Sequence, residues 1–167
     1  MREKLTKKDI ERIEAEIEQR KLELRPELIE AVKEARAQGD LSENYEYYAA
    51  KREKNRNESR IRYLDRVLRT AELIETDSKV GVVGLEKTIT ILFEEEGEVE
   101  VYKIVTPMRC NSIEGRISIE SPIGKALLGH KVGDVVKVIL ETGVNFSMKI
   151  LEINETIDDG SDKIRGY

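Results

Sequence analysis

The sequence predicts an α+β protein in which a long antiparallel helical hairpin precedes a small strand-rich domain. Apolar residues recur every three or four positions through about the first 70 residues, which is the spacing of one helix face. Gly39 lies in a short breaker between two such charged helical patterns. Short β-branched segments separated by turns follow after about residue 80. Charged residues make up 38% of the 167 residues and aromatics 5%, which favours solvated helices beside a modest core.

The first helix is expected to begin after Thr6, a plausible N-cap with Asp9 three residues further on. Pro26 predicts a kink, because proline lacks the N–H and its ring clashes with the carbonyl four residues back. Gly39 is expected to end the helix. Arg20 or Lys21 fills a gap in the apolar stripe. The stripe itself consists of Ile10, Ile13, Ile17, Leu24, Leu28, Ala31 and Ala35.

The second helix is expected to start near Ser42 or Glu43. Its seam residues step by three and four throughout, so the two helices are predicted to form an antiparallel coiled coil across a short turn. Lys54 and Asn57 put polar groups on this seam, which predicts looser packing in the half nearest the turn. The seam could equally mediate dimerisation, but the two helices can satisfy each other, and a monomer is expected. The seam comprises Tyr47, Ala50, Lys54, Asn57, Ile61, Leu64, Leu68 and Ala71.

The predicted domain plan is a hairpin over residues 1–75, a linker at 76–79, an α+β domain at 80–157 and a disordered tail at 158–167. Ser121 is expected to cap a short helix with Pro122 at its first position, which ends at Leu128 before Gly129. Strands are predicted at Val80–Val83, Thr88–Phe93, Val99–Val105, Val135–Leu140 and Phe146–Ile153.

Asp40 and Glu43 lie three residues apart in the turn of the hairpin. One interpretation is structural: Asp40 or Ser42 caps the second helix, and Glu43 or Glu46 complements its dipole. The other is functional, because carboxylates at the end of a finger can be delivered into a site on another molecule. Two carboxylates alone do not hold Mg²⁺ firmly, since this ion keeps waters and takes further ligands from substrate phosphates.

Charge is unevenly distributed along the chain. Residues 1–75 carry 18 basic and 18 acidic side chains, and the remainder carries 11 and 16, which gives the net charge of −5. An acidic protein is not expected to coat DNA generically. A basic run follows the turn, however, and could track a phosphate backbone. The alternative is a solvated helix face with i,i+4 ion pairs, including pairs with Glu53 and Glu58.

Several function classes are disfavoured. The single Cys110 allows no internal disulfide and suits a reducing cytoplasm, and His130 is given no catalytic role. No Cys/His cluster predicts zinc, and no Gly-rich loop predicts a nucleotide site. No apolar run predicts a membrane span or a signal peptide, so a cytoplasmic protein without a membrane partner is expected.

Two blocks of the sequence resemble the bacterial Gre transcript cleavage factors, the GreA/GreB family. The first is RPELIEAVKEARAQGDLSENYEYYAAK, from Arg25 to Lys51, and the second is ISIESPIGKALLGHKVGDVVKV, from Ile117 to Val138. Their order and spacing fit the family, as does LTKKDIERIEAEIE near the N-terminus. The resemblance implies an FKBP-like C-terminal domain. It does not imply prolyl isomerase activity, because the aromatic residues of that pocket are missing.

The resemblance also implies a function in transcription elongation. The coiled coil is expected to enter the secondary channel of bacterial RNA polymerase and to reach the backtracked nascent RNA 3′ end. There Asp40 and Glu43 match the acidic pair that helps the polymerase hold Mg²⁺ for transcript cleavage, so the chain is expected to be an accessory factor rather than an enzyme. DNA binding is expected as well. Ser42, Asn44 and Tyr47 are expected to support the turn. The expected RNA-contacting residues are Arg36, Lys51, Arg52, Lys54 and Arg56.

The sequence departs from the family pattern near the turn. Asn55, Arg56 and Asn57 stand where the family commonly has Gly-Phe and an aliphatic residue, and Tyr45 and Tyr48 replace positions that are more often Ala and His. These departures leave open a Gre-like channel regulator that inhibits the polymerase without stimulating cleavage. A coiled-coil interaction module unrelated to transcription is a further alternative, which the two matching blocks argue against.

Overall fold

The computed structural model describes residues 2–39, 44–76, 79–156 and 158–166, which form two compact units. The hairpin unit comprises Ile10–Ala71, and the C-terminal unit combines Glu3–Asp9 with the chain from Glu72 onward. The predicted class, a helical hairpin followed by a small α+β domain, is confirmed. The helices and strands are β1 (Lys4–Leu5), α1 (Lys7–Gln19), a π-helical segment (Arg20–Leu24), α2 (Arg25–Ala37), α3 (Tyr45–Thr70), β2 (Glu72–Leu73), β3 (Lys87–Phe93), β4 (Glu98–Val105), two 3₁₀ turns (Pro107–Arg109 and Ser112–Glu114), β5 (Arg116–Ser118), α4 (Pro122–Leu127), β6 (Val135–Ile139) and β7 (Asn145–Glu155).

The N-terminus of α1 is capped as predicted. The Thr6 N–H donates to Asp9 Oδ2 at 3.0 Å, and the Asp9 N–H donates to Thr6 Oγ1 at 3.3 Å. This reciprocal pair satisfies two backbone donors that the first turn of a helix leaves without partners.

Among the helices of the described ranges, none has the length and hydrophobicity that crossing a membrane requires.

The irregularity expected at Pro26 lies upstream of the proline. Residues Arg20–Leu24 form a π-helical segment, in which the Arg25 N–H donates to the Arg20 carbonyl. Pro26 then occupies the first turn of α2. Proline is tolerated in a first turn because its missing N–H has no intrahelical role there. The π-helical segment therefore allows α2 to begin at Arg25, so that Pro26 lies in a first turn, where proline is tolerated.

Burial divides the hairpin into two parts. We call residues 10–19 and 60–71 the stem half, and residues 25–37 and 44–58 the turn half. In the turn half, Leu24 at its border, Leu28 and Ala31 are only half-buried, and Ala35 is the one buried apolar side chain of α2. Val67 is buried, whereas the predicted seam residue Leu68 is half-buried. The buried apolar side chains of the stem half are Ile13, Ile17, Ile61, Leu64 and Val67.

The C-terminal unit is built on a five-stranded mixed sheet with the order β5-β4-β3-β7-β6. All neighbours are antiparallel except β4 and β5, which are parallel. The central strand alternates in burial, as a sheet with one covered face requires. Residues 80–83, predicted as a strand, contribute only an isolated bridge between Val82 and Lys131. The core consists of Val83, Ile89, Ile91, Ile104, Ile117, Leu127, Val136, Val138, Met148 and Ile150.

Helix α4 has the predicted cap. Ser121 Oγ accepts the Gly124 N–H at 3.0 Å, and Pro122 lies in the first turn. Gly124 is required by packing, because a Cβ there would approach the Ser118 carbonyl oxygen to 2.0 Å. The helix ends at Leu127, one residue before the predicted end, and Gly129 follows with φ +82°.

Both ends of the chain join the C-terminal unit. Strand β1 pairs in parallel with β2. The fully buried Arg109 donates to Asp9 at 2.5 Å and to Asp162 at 3.3 Å, and it also pairs with Glu86. Lys103 binds the same Asp162 at 2.6 Å. The C-terminal unit therefore includes Glu3–Asp9 besides the chain from Glu72 onward, and Asp162, in the predicted tail, completes a buried charge cluster.

Candidate functional site

The candidate site is the end of the hairpin where α2 and α3 approach the turn. Helix α2 ends at Ala37, and Gln38 caps it with its N–H on the Ala35 carbonyl at 3.3 Å. Gly39 then takes φ +128°, a conformation that side chains with a Cβ rarely adopt. The predicted helix end is therefore confirmed. Asp40, Ser42 and Glu43 lie outside the described residues.

Asn44 links the two helices at this end. Its Oδ1 accepts the Tyr47 N–H at 3.1 Å, which caps α3. Its Nδ2 donates to the Ala35 carbonyl at 2.6 Å, across the turn. One amide side chain therefore satisfies a donor at the start of α3 and an acceptor near the end of α2. The helix begins at Tyr45, so Asn44 holds the cap position for which the sequence also offered Asp40 and Ser42.

Tyr47 is packed between basic side chains of both helices. The Arg36 guanidinium lies 5.6 Å from the ring centroid, and the Lys51 ammonium lies 6.0 Å from it. Arg36 Nη2 also donates to the Tyr47 hydroxyl at 3.4 Å. That hydrogen bond, with the charges of Lys51, Arg36 and Lys54, lowers the pKa of the Tyr47 hydroxyl. Tyr48 contacts the same ring edge-on, with centroids 5.5 Å apart.

The predicted RNA-contacting residues fall on two sides of the hairpin end. Arg36 and Lys51 flank Tyr47, and Lys54 is half-buried on that side of α3. Arg52 and Arg56 are exposed on another face. Arg56 pairs with Glu53 at 2.9 Å, as the solvated-face interpretation predicts. That pair is well exposed, so it contributes little to stability and leaves the guanidinium available.

Behind the turn, polar side chains of the two helical segments pair with each other, and the sequence did not predict these pairs. We call them the polar ladder; they are Arg25–Glu58, Arg20–Asn57 and Glu16–Arg60. Arg25 binds Glu58 through two hydrogen bonds of 2.7 and 3.0 Å, which lower the pKa of the Glu58 carboxyl. Asn57 is buried; its Oδ1 accepts from Arg20 Nη1 at 3.0 Å and its Nδ2 donates to the Arg20 carbonyl at 3.3 Å. The signal available in the sequence was the pair of interruptions in the apolar stripes at Arg20 and Asn57.

The ladder continues into the stem half through Glu16. This carboxylate accepts from Arg20 at 2.8 Å and from Arg60 at 2.9 Å. Burial acts to raise the pKa of Glu16, but the hydrogen bonds from Arg60 and Arg20 outweigh it and the pKa is lowered. Three side-chain pairs thus connect the two sides of the hairpin, from the turn half into the adjoining end of the stem half.

The described residues offer no complete metal site of their own. Within the described ranges, no group of three or more His, Cys, Asp or Glu side chains is placed to hold an ion. The amide of Asn44 is occupied by the two helix ends. Asp40 and Glu43, whose carboxylates are oxygen ligands of the kind Mg²⁺ takes, lie outside the described residues.

Comparison with known proteins assigns the class. Residues 3–73 match the family described as "Transcription elongation factor, N-terminal", and residues 77–155 match "Transcription elongation factor, GreA/GreB, C-term". The chain therefore belongs to the GreA/GreB family of transcription elongation factors.

Individual relatives agree with this assignment. The chain is 44% identical to transcription elongation factor GreA of Macrococcus caseolyticus over 150 residues, which is 90% of this chain and 95% of that one. It is 41% identical to GreA of Thermotoga maritima over 152 residues, which is 91% of this chain and 97% of that one. Among solved structures, Gfh1 of Thermus thermophilus is 32% identical, with 92% of this chain and 99% of that chain covered and a TM-score of 0.41.

Proposed function

We propose that this elongation factor stimulates endonucleolytic cleavage of backtracked nascent RNA by bacterial RNA polymerase and so rescues arrested complexes. The observation that carries the proposal is the hairpin end, where two long helices stop at a turn that contains Asp40 and Glu43 in the sequence. In this proposal the hairpin enters the secondary channel and reaches the RNA 3′ end. The polymerase is the enzyme, and this chain is an accessory factor.

The proposed cofactor is Mg²⁺ held jointly with the polymerase. Asp40 and Glu43 supply two carboxylates, and the polymerase and the substrate phosphate supply the other ligands. The chemistry provided there is stabilisation of the attacking water and the leaving oxygen in phosphodiester hydrolysis. The role of the hairpin is to bring the carboxylates to the scissile phosphate. Asn44 and Tyr47 support this by joining the last turn of α2 to the first turn of α3.

The basic residues near the turn are proposed to contact the extruded RNA. Arg36 and Lys51 bracket Tyr47, and Arg52 and Arg56 are exposed along α3. Each phosphate neutralised by such a side chain makes binding more dependent on salt. We also propose a coiled-coil geometry for the hairpin, an FKBP-like fold for the C-terminal unit, and action as a monomer in the cytoplasm.

The alternative is a channel regulator that inhibits the polymerase without cleavage. Its supporting observation is the polar ladder, because Asn57 places a buried amide where the family commonly has an apolar residue. The GDLSEN turn, with both carboxylates present, favours cleavage.

Transcript cleavage in a stalled, backtracked elongation complex tests the proposal. The wild-type factor should release a short 3′ RNA fragment and restore elongation. The double substitution Asp40→Ala and Glu43→Ala should abolish both effects, while costing at most a cap's ~1 kcal/mol of stability. Glu46→Ala is the matched control, since Glu46 is an exposed carboxylate in the first turn of α3 and should leave cleavage intact.

The outcomes separate the two candidates. Full activity of the double variant would remove the metal-ligand assignment of Asp40 and Glu43. A wild-type factor that binds the polymerase and slows elongation without releasing RNA fragments would favour the inhibitory alternative.

A further inference from the structure

Two tyrosine rings lie exposed at the start of α3. Tyr45 is 86% exposed and Tyr48 is 46% exposed. Among the described residues no side-chain hydrogen bond or ring contact is found for Tyr45, and the one ring contact found for Tyr48 is with Tyr47. Large aromatic side chains contribute to stability through burial, which Tyr45 largely lacks and Tyr48 has only in part. The packing of the hairpin therefore does not account for the exposed part of either ring.

The two rings share a helix face with a guanidinium. Positions 45, 48 and 52 are spaced by three and four, which places neighbours one turn apart on the same side of an α-helix. Arg52 is exposed, and no ion pair is found for it within the described ranges. Tyr47 and Lys51 lie on a different side, together with Arg36. We call Tyr45, Tyr48 and Arg52 the tyrosine strip.

The Tyr48 ring of the strip is held in place by the neighbouring Tyr47 ring. Tyr48 meets the Tyr47 ring at an interplanar angle of 63°. The Tyr47 ring is in turn fixed between Arg36 and Lys51, and its backbone N–H is bonded to Asn44. A ring that is fixed before binding loses less conformational entropy when a ligand stacks on it. The arrangement therefore presents preorganised aromatic surface at the end of the hairpin.

Aromatic faces interleaved with basic side chains bind single-stranded nucleic acid. Every base has a face that can stack on the rings, and the basic groups neutralise the phosphates between them. Tyrosine and arginine are also enriched in protein–protein interfaces, so contact of the strip with polymerase protein is the outcome that the test has to separate from base stacking. The strip also follows directly after the turn with Asp40 and Glu43, where the proposed function places the RNA 3′ end.

We propose that the tyrosine strip is a stacking site for unpaired nucleobases of the extruded RNA 3′ segment. The proposal rests on the proposed function and deepens it, because it identifies which feature of the substrate this factor recognises besides its charge. Stacking strength increases with the area of the base, so purines bind better than pyrimidines. The strip contributes capture and positioning of the RNA, while the carboxylates of the turn act at the phosphodiester.

The test combines side-chain substitutions with changes to the RNA. Full-length factor is titrated into backtracked elongation complexes whose extruded nucleotides are purines, pyrimidines or abasic. Tyr45→Ala with Tyr48→Ala should raise the factor concentration for half-maximal cleavage about five-fold or more with purines. With abasic nucleotides the variant and the wild type should coincide, because no base remains to stack.

Three control variants separate stacking from other roles. Tyr45→Phe with Tyr48→Phe keeps the rings and should behave as wild type. Tyr45→Leu with Tyr48→Leu keeps apolar bulk without a π-face and should behave as the alanine variant. Tyr63→Ala removes a tyrosine of the same helix that lies roughly 27 Å from Tyr45. It should not alter the dependence of cleavage on the extruded bases.

Photo-crosslinking gives a readout that does not need cleavage. A halogenated uridine in the extruded segment should crosslink to Tyr45 or Tyr48 of the wild-type factor. If cleavage occurs but neither crosslinking nor base dependence is seen, the strip proposal fails and the proposed function stands. If crosslinks form without cleavage, the strip stands and cleavage stimulation fails. A leucine variant equal to wild type, with no effect of abasic RNA, would mean that the rings contact polymerase protein.

Discussion

The stem half and the turn half of the hairpin are stabilised by different interactions. In the stem half, five apolar side chains are buried, among them Ile13 and Leu64, which are fully buried. In the turn half Ala35 is the one buried apolar residue, and Asn44, Asn57 and the Arg25–Glu58 pair connect the helices. The stem half therefore supplies most of the stability, and the turn half fixes the relative positions of the helices. Apolar burial is non-directional and supplies most of the free energy, whereas hydrogen bonds contribute little net energy but set positions.

This division suits a hairpin that presents its end to another molecule. Exposed apolar side chains near the turn would promote association with other chains. Polar pairs avoid that surface and still fix where α3 starts relative to the end of α2, through the 2.6 Å contact of Asn44 with the Ala35 carbonyl. The turn half can therefore present basic and aromatic side chains outward, while the stem half keeps the hairpin folded.

The largest expected effect comes from removing apolar bulk in the stem half. Leu64→Ala should lower the free energy of unfolding by about 2–5 kcal/mol, because Leu64 is fully buried and its loss leaves a cavity. Denaturant unfolding followed by helical circular dichroism measures this. Leu22→Ala is the control, since Leu22 is 67% exposed and should change stability by less than about 0.5 kcal/mol. Equal losses for the two variants would contradict the stem assignment.

A smaller loss is expected where the hairpin relies on a buried amide. Asn57→Ala should cost about 1–2 kcal/mol, because it removes both hydrogen bonds with Arg20. Asn55→Ala is the matched control: the same residue type two positions away is exposed and should be neutral or slightly stabilising. The same unfolding measurement applies. A neutral Asn57→Ala would show that the polar ladder does not contribute to stability.

Glu16, in the stem half, should make the stability of the hairpin depend on pH. The pKa of Glu16 is lowered in the folded state from its ordinary 4.5, because hydrogen bonds from Arg60 and Arg20 outweigh its burial. Its contribution is therefore complete above about pH 4.5 and is lost as pH falls through the folded pKa. Glu16→Gln should be less stable than wild type by about 1 kcal/mol at pH 7. In a pH series of unfolding curves, that difference should shrink below pH 4.5; a difference that stays constant would exclude Glu16 as the source.

The smallest effect on stability is expected on the outward side of the turn half. Replacing Arg52, Lys54 and Arg56 together by Gln should change the free energy of unfolding by less than about 0.5 kcal/mol, since Arg56–Glu53, the one ion pair found for them within the described ranges, is exposed. The salt dependence of stimulated cleavage should become shallower, because fewer phosphates are neutralised. Cleavage rates measured against salt at subsaturating factor check this. If the cleavage rate of the variant depends on salt as steeply as that of the wild type, these residues only solvate the helix surface.

The sequence by itself determined the features that depend on neighbouring residues. Thr6 with Asp9 and Ser121 with Gly124 are contacts across three positions, so a single turn of chain contains both partners. The helix end before Gly39 and the main strands follow from backbone preferences and the period of apolar residues. The residues of the candidate site could also be named from sequence, because the motif is contiguous.

Only the tertiary structure decided which distant residues meet. Arg20 and Asn57 are 37 positions apart, and Arg109 and Asp9 are 100 apart. The short strand β5 and the ordered contacts of Asp162 likewise depend on partners far along the chain. A charged or polar residue in a sequence does not reveal its partner, since such a pair is selected by the packing that brings the two together. For this reason the composition of the turn half could be foreseen, but the polar ladder that holds it could not.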